Sequence, residues 1–326
     1  MSDLEAQLAS SLGSLYRIER ELGGGGMSRV FLAEEIGLSR RVVLKILPPE
    51  LGAVISPERF QREVRLAASL QHPHIVPLLA AGAAGNILYY TMPFVEGESL
   101  RARLSRESEL PVADAVRLLR EVADALAYAH RQGLVHRDIK PDNILLSHGH
   151  AVVTDFGIAR AVSEAGGTTL TATGMAIGTP AYMSPEQATG EAHIDQRADI
   201  YSLGALAYEM LAGEPPFRGS TAQALIAAQL TRTPTALTES RPAVPAGLAA
   251  VIHRCLEKRP ADRFQTAEEL MAALEPAATV TPAGATPATP AAAAATAGQE
   301  WPLPRVLGYF ALAGAAMLGV AWALRT

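Results

Sequence analysis

The sequence predicts an α+β chain of two lobes, strand-rich at the N-terminal end and helical beyond it, followed by a linker and one C-terminal transmembrane helix. Three observations carry this reading. Short β-branched and aromatic runs recur as far as Met92, separated by Gly and Pro. From Val112 onward apolar residues recur at helical spacing. Val306 to Leu324 is an apolar run without a charged residue.

The chain has 326 residues, enough for about two domains of roughly 150 each. Its formal net charge is −5 with no block of Lys or Arg, so no nucleic-acid partner and no polybasic membrane patch is expected. The single cysteine, Cys255, cannot form an internal disulfide, fits a reducing compartment and reads as a buried structural thiol. Residues 1–15 read as an N-terminal extension. They carry acids and no basic residue ahead of an apolar run, unlike a secretory signal, so the first domain is expected in the cytoplasm.

From Tyr16 the chain alternates toward Leu22, breaks at Gly23-Gly24-Gly25-Gly26-Met27-Ser28 and resumes as Val30-Phe31-Leu32-Ala33. This is a hairpin whose glycine tip lets backbone amides approach phosphate oxygens. A Walker-type loop is rejected because no Gly-Lys-Ser/Thr ending on a helix follows, and a Rossmann fingerprint because another strand follows the glycines. In the next strand, Arg41 to Leu47, Lys45 is a charge in an otherwise apolar segment and needs a partner. Ser56-Pro57-Glu58 starts a helix, with Phe60, Val64 and Ala67 on one face and Glu63 on its flank, able to reach the sheet. Leu88 to Met92 is a further strand, and 93–97 links the lobes.

Val112 to Arg131 is one long buried helix ended by Gly133. It leads into His136-Arg137-Asp138-Ile139-Lys140-Pro141-Asp142-Asn143, which leaves through a hairpin, Ile144-Leu145-Leu146 and Ala151-Val152-Val153, toward Asp155-Phe156-Gly157. The hairpin brings Asp155 opposite Asn143, two oxygen ligands suited to magnesium. Asp138 can accept a hydroxyl proton and Lys140 can neutralise charge on a moving phosphoryl group. His148 and His150 sit in the intervening turn without cysteine or carboxylate partners in sequence, and read as surface histidines. Helices are expected near 195–212, 221–230, 247–257 and 267–274.

Taken jointly, the His-Arg-Asp loop, Asp155-Phe156-Gly157, the strand lysine and the helix glutamate resemble the protein-kinase family, and within it the bacterial membrane-associated Ser/Thr kinases. The resemblance spans about residues 16–275, with an N-lobe at 16–92, a hinge at 93–97 and a C-lobe at 98–275. It implies a two-lobed protein-kinase fold that transfers the γ-phosphoryl group of ATP, with Mg2+, to Ser/Thr hydroxyls of protein substrates. Lys140 and Thr179 match the Ser/Thr branch.

The resemblance makes Asp138 the base and pairs Lys45 with Glu63 to fix the phosphates. It assigns the metal to Asn143 and Asp155, and the nucleotide to Leu22, Gly23, Gly25, Val30, Val43, Lys45, Met92, Pro93, Val95 and Leu145. Ser28 stands where the family has a third glycine, and Val43 where it has alanine. Arg137 is implied to pair with a phosphate on the following loop, where Thr171 and Thr173 are the expected autophosphorylation sites. Glu186 is expected to pair with Arg263, and Asp199 to hold the catalytic-loop backbone. An ATP-binding pseudokinase acting as a membrane scaffold is the alternative, and the full set of catalytic residues speaks against it.

From Pro276 to Glu300 the composition collapses to Ala, Thr, Pro and Gly, too poor in large apolar side chains for a core, and residues 276–305 read as a linker. The helix 306–324 would be roughly 28 Å long, the thickness of a hydrocarbon core. Trp301 and Trp322 mark its ends, and Arg305 and Arg325 flank it. The expectation is a single-pass protein of the inner, cytoplasmic membrane with its kinase domain in the cytoplasm. Ala311, Ala315, Gly319 and Ala323 recur every fourth residue, a small-residue stripe that would allow a homodimer.

Overall fold

The computed structural model describes residues 8, 10–25, 28–47, 57–84, 87–156 and 180–277. The last C-lobe helix takes in Pro276 and Ala277, the first two residues of the expected linker; the rest of the linker, the helix expected at 306–324 and the loop threonines Thr171 and Thr173 lie outside the described residues. Among the described residues no helix is long and apolar enough to cross a membrane.

The N-lobe runs β1 (Tyr16–Gly25), β2 (Ser28–Glu35), β3 (Arg40–Ile46), α1 (Pro57–Ala68), β4 (Ala80–Ala84) and β5 (Ile87–Pro93). Its sheet is antiparallel in the order β1-β2-β3-β5-β4. Strand alternation splits the side chains between two faces. Phe31, Val42, Leu44, Ile46, Ile87 and Tyr89 form one core, which Tyr16, Leu8 and Leu12 close. Part of the N-terminal extension is therefore packed into the lobe. The sequence concealed this because two leucines in a polar stretch carry no strong periodicity.

The opposite face carries Val43 and Lys45 on β3. They lie level with Met92 and Tyr90 on β5 and with Leu32 and Val30 on β2. Helix α1 seats Phe60 and Val64 against Leu47, Leu88 and Tyr90. Pro57 opens it, where a missing amide hydrogen costs nothing. Strand β4, Ala-Ala-Gly-Ala-Ala, has little intrinsic strand preference and forms by pairing with β5.

In the C-lobe a small sheet joins β6 (Glu98–Ser99), β7 (Ile144–Ser147) and β8 (His150–Val153). The helices are α2 (Leu100–Glu107), α3 (Val112–Arg131), α4 (Pro185–Ala188), α5 (Arg197–Ala212), α6 (Ala222–Thr231), α7 (Leu237–Ser240), α8 (Ala246–Cys255) and α9 (Ala267–Ala277). Helix α3 has the bounds expected from periodicity, and Gly133 follows it at φ 75°. Helix α5 is buried continuously from Ala198 to Leu211 and is the centre of the lobe. Its Gly204 faces Cys255: a Cβ on the glycine would stand 2.5 Å from the cysteine Cβ. Burial pushes the Cys255 thiol up to about 12, so it is a packing residue, as expected.

The hinge glycine, Gly97, has φ 144° and lies so close to β7 that a Cβ would fall 2.0 Å from the Leu146 carbonyl oxygen. Only glycine fits there. The lobes also meet through the backbone. Val76 N donates to Val153 O at 2.9 Å and Val153 N to His74 O at 2.9 Å, tying the segment before β4 to β8.

Candidate active site

The site lies between the lobes, where the cleft face of the upper sheet meets the loops around β7 and β8. The loop backbone is fixed from below by Asp199. This buried carboxylate accepts from His136 N at 2.8 Å and Arg137 N at 2.7 Å, and pairs with His130 Nε2 at 2.8 Å. Burial opposes its ionisation, but His130 and the amides outweigh that and hold the carboxyl below its ordinary range. With its amide engaged this way, Arg137 adopts the left-handed region at φ 68°, a conformation a non-glycine residue keeps only when its neighbours impose it. Gln187 Nε2 donates to the Arg137 carbonyl at 2.8 Å, adding a second clamp from α4.

Held by this clamp, the loop presents Asp138 to the cleft. Lys140 Nζ donates to Asp138 Oδ2 at 2.7 Å. Asn143 Nδ2 donates to the same oxygen at 2.9 Å and to the Asp138 carbonyl at 2.8 Å. With its NH2 group turned toward Asp138, the Asn143 amide directs its carbonyl oxygen elsewhere. The strand ends are locked together, because Thr154 N donates to Asn143 O at 2.9 Å. His136, fully buried, bonds through Nε2 to Thr154 O at 2.8 Å and meets the Phe156 ring edge-on at 4.6 Å.

Asp155 follows, with φ 67°. Lys45 Nζ donates to its Oδ2 at 2.6 Å, Tyr90 Oη to its Oδ1 at 2.6 Å and Thr154 Oγ1 to Oδ2 at 3.2 Å. Burial would raise the Asp155 carboxyl, but the Lys45 ammonium and the Lys45 and Tyr90 hydrogen bonds hold it below the ordinary range. Lys45 was expected against Glu63. It is bonded to Asp155, and the Glu63 side chain lies outside those described. One carboxylate and one amide oxygen on adjacent strand ends form a hard, all-oxygen donor set that fits magnesium.

Between β3, β5 and β7 lies an apolar cluster of Val43, Val76 and Met92, with Val30, Phe94, Val95, Leu145 and Val152 packed against it. Five of the residues expected to contact a nucleotide thus converge: Val30, Val43, Met92, Val95 and Leu145. Pro93 ends β5, opposite Val42. Leu22 and Gly23 lie on β1 outside this cluster, with Leu22 37% exposed. Gly25 closes the described part of that strand.

Two features were not anticipated. Tyr90 falls within the expected strand Leu88 to Met92 with no role assigned to it, since its proximity to Asp155 depends on a register the sequence does not display. Arg101 on α2 donates to Glu209 Oε1 at 2.8 Å and to the Tyr182 hydroxyl, which in turn donates to Glu209. This triad, half-buried at Arg101, ties α2 and α5 to the turn Pro180–Tyr182. The paired Glu186 and Arg263 are found as expected, with both terminal guanidinium nitrogens on the carboxylate at 2.7 and 2.8 Å.

The sequence model of the protein kinase domain matches residues 16–273. The chain is 39% identical over 269 residues to serine/threonine-protein kinase PknB of Mycobacterium leprae, covering 81% of this chain and 43% of that protein. It is 41% identical over 284 residues to serine/threonine-protein kinase PknD of Mycobacterium tuberculosis, covering 86% and 42%. It is 38% identical over 270 residues to serine/threonine-protein kinase pkn2 of Myxococcus xanthus, covering 81% and 32%. The chain spans less than half the length of these curated relatives. With the family match extending over most of its length and onto both sides of the cleft, this chain belongs to the protein kinase domain family.

Proposed function

We propose that the chain transfers the γ-phosphoryl group of ATP to serine and threonine hydroxyls of proteins. The observation that carries this is the Asp138 carboxylate, oriented by Lys140 and Asn143 and linked through Asn143 to the strand end that precedes Asp155. Asp138 accepts the proton of the attacking hydroxyl, a role that needs a carboxylate fixed in direction. Lys140 neutralises charge building on the transferred group. Lys45, with Glu63, holds the α and β phosphates, turning from Asp155 to do so as nucleotide enters. Val30, Val43, Met92, Val95 and Leu145 enclose the base, the Pro93 carbonyl and Val95 backbone bind its edge, and Leu22, Gly23 and Gly25 cover it. Asn143 and Asp155 would hold Mg2+, which when bound would supply positive charge against the phosphates.

Restriction to Ser and Thr is supported by the names of the relatives and by Lys140 and Thr179. Activation by autophosphorylation at Thr171 and Thr173, read by Arg137, belongs to the same proposal. So does anchoring to the cytoplasmic membrane through 306–324, with the kinase domain on the cytoplasmic side. The small-residue stripe of that helix would pair two copies. The test is incubation of the purified full chain with radiolabelled ATP, Mg2+ and a protein acceptor, followed by phosphoamino-acid analysis. Label on Ser or Thr that Asp138→Asn abolishes supports the proposal. Metal-dependent ATP binding without incorporation would make the chain a scaffold instead.

A further inference from the structure

We propose that Tyr90 is a positioning residue for the metal site: its phenol fixes the Asp155 carboxylate so that the ion binds in one place while Lys45 moves between Asp155 and the phosphates. The inference rests on the phosphoryl-transfer reading and deepens it.

Tyr90 is 1% exposed and sits in an apolar cluster with Leu47, Phe60, Val64 and Leu88. A hydroxyl in such surroundings costs free energy unless bonded. Its partner lies in the other lobe, where the hydroxyl donates to Asp155 Oδ1 at 2.6 Å. The strand register explains the meeting. Tyr90 on β5 is directly opposite Lys45 on β3, so both side chains stand on the cleft face and each takes one oxygen of a single carboxylate.

The two donors are not equivalent. An aspartate carboxylate turns easily about its last torsion, and two donors on opposite oxygens stop it. Lys45 is a long flexible cation whose proposed task lies with the phosphates. Tyr90 is a rigid ring clamped by Phe60 and Val64 of α1 and keeps its oxygen where it is. When Lys45 turns to the nucleotide, Tyr90 remains to orient Asp155 from Oδ1, across from the longer Thr154 Oγ1 contact on Oδ2 at 3.2 Å. Groups that hydrogen-bond a metal's ligands typically set its affinity by about 10- to 100-fold.

The experiment compares the full chain with Tyr90→Phe and Tyr90→Leu, using a fluorescent ATP analogue titrated at several Mg2+ concentrations and in chelator. Both variants lack the donor, and only the first keeps the ring. Each is expected to raise the half-saturating Mg2+ concentration about tenfold while leaving binding in chelator unchanged. A shift below twofold in Tyr90→Phe overturns the proposal, and a shift in Tyr90→Leu alone assigns the residue to packing and overturns it equally. An unmutated chain that binds nucleotide with metal but transfers no phosphate loses the transfer reading while the Tyr90 comparison stands. An unmutated chain without metal-dependent binding overturns both.

Discussion

Lys140 Nζ donates to Asp138 Oδ2 at 2.7 Å, two residues along the same loop. Asn143 Nδ2 reaches that oxygen too, at 2.9 Å. The carboxylate is thereby aimed without being covered, since its side chain keeps 29% of its exposure. Asp138→Asn retains shape and removes the proton acceptor. Phosphoryl transfer should fall by about 100-fold or more, with ATP-analogue binding retained. Initial rates with a protein acceptor measure the first, and equilibrium titration the second. Transfer within about tenfold of the parent would remove Asp138 from the role of base.

Arg263 and Glu186 form a deeply enclosed ion pair, with side chains 0% and 5% exposed. The guanidinium also donates to the carbonyls of Glu257, Arg197 and Lys258. Glu186→Ala leaves a buried cation facing a void and should lower the folding free energy by about 3–5 kcal/mol, read by urea denaturation. The double replacement Glu186→Leu with Arg263→Met should recover part of that loss, because neither charge then remains buried.

Much of this architecture was legible because the relevant signals are local. The apolar run around Lys45, the periodicity of Val112 to Arg131 and the catalytic-loop spacing each lie within one segment. What stayed hidden depends on register or on distant partners. Tyr90 reaches Asp155 because β5 pairs with β3 in one particular alignment. Lys45 also bonds Asp155, 110 residues away, a partner that no local pattern announces. Strand β4 is alanine and glycine, and helix α2 offers only Leu100 and Leu104 to the core, so neither announces itself by pattern.

Lys258 provides a pH signature. Burial first, then the nearby Arg263, lowers its ammonium from the ordinary 10.5 to about 8. Its Nζ lies 4.0 Å from the centre of the Phe217 ring. Between pH 8 and 10.5 the unfolded chain holds this proton and the folded chain has released it. Raising the pH across that window therefore favours folding at this site. Cys255 acts oppositely, since its folded thiol keeps its proton to about 12. The difference between parent and Lys258→Met isolates the lysine. The folding free energy of the parent should gain on that of the variant as pH rises from 8 to 10.5, and a constant difference would contradict the assignment.

Arg137 joins the catalytic loop to its proposed control. Its backbone is clamped by Asp199 and Gln187, and its guanidinium donates to the Ile194 carbonyl at 3.4 Å. Beside it lies a cavity of about 400 Å³ lined by Gly133, Val135, Arg137, Ala192, His193, Ile194 and Asp195. A phosphothreonine carries close to two negative charges and three strong acceptors, the chemistry a guanidinium binds best. Thr171 and Thr173 precede this region in sequence. Phosphopeptide mapping after autophosphorylation should find label on one or both. Their phosphorylation should raise the transfer rate in the parent and leave Arg137→Ala almost unchanged, because that variant keeps the backbone clamp and loses the cation. The comparison is the ratio of rates before and after phosphatase treatment, for parent and variant. Label confined to the linker threonines, or an equal ratio in both proteins, would sink the assignment of Arg137 as the phosphate reader.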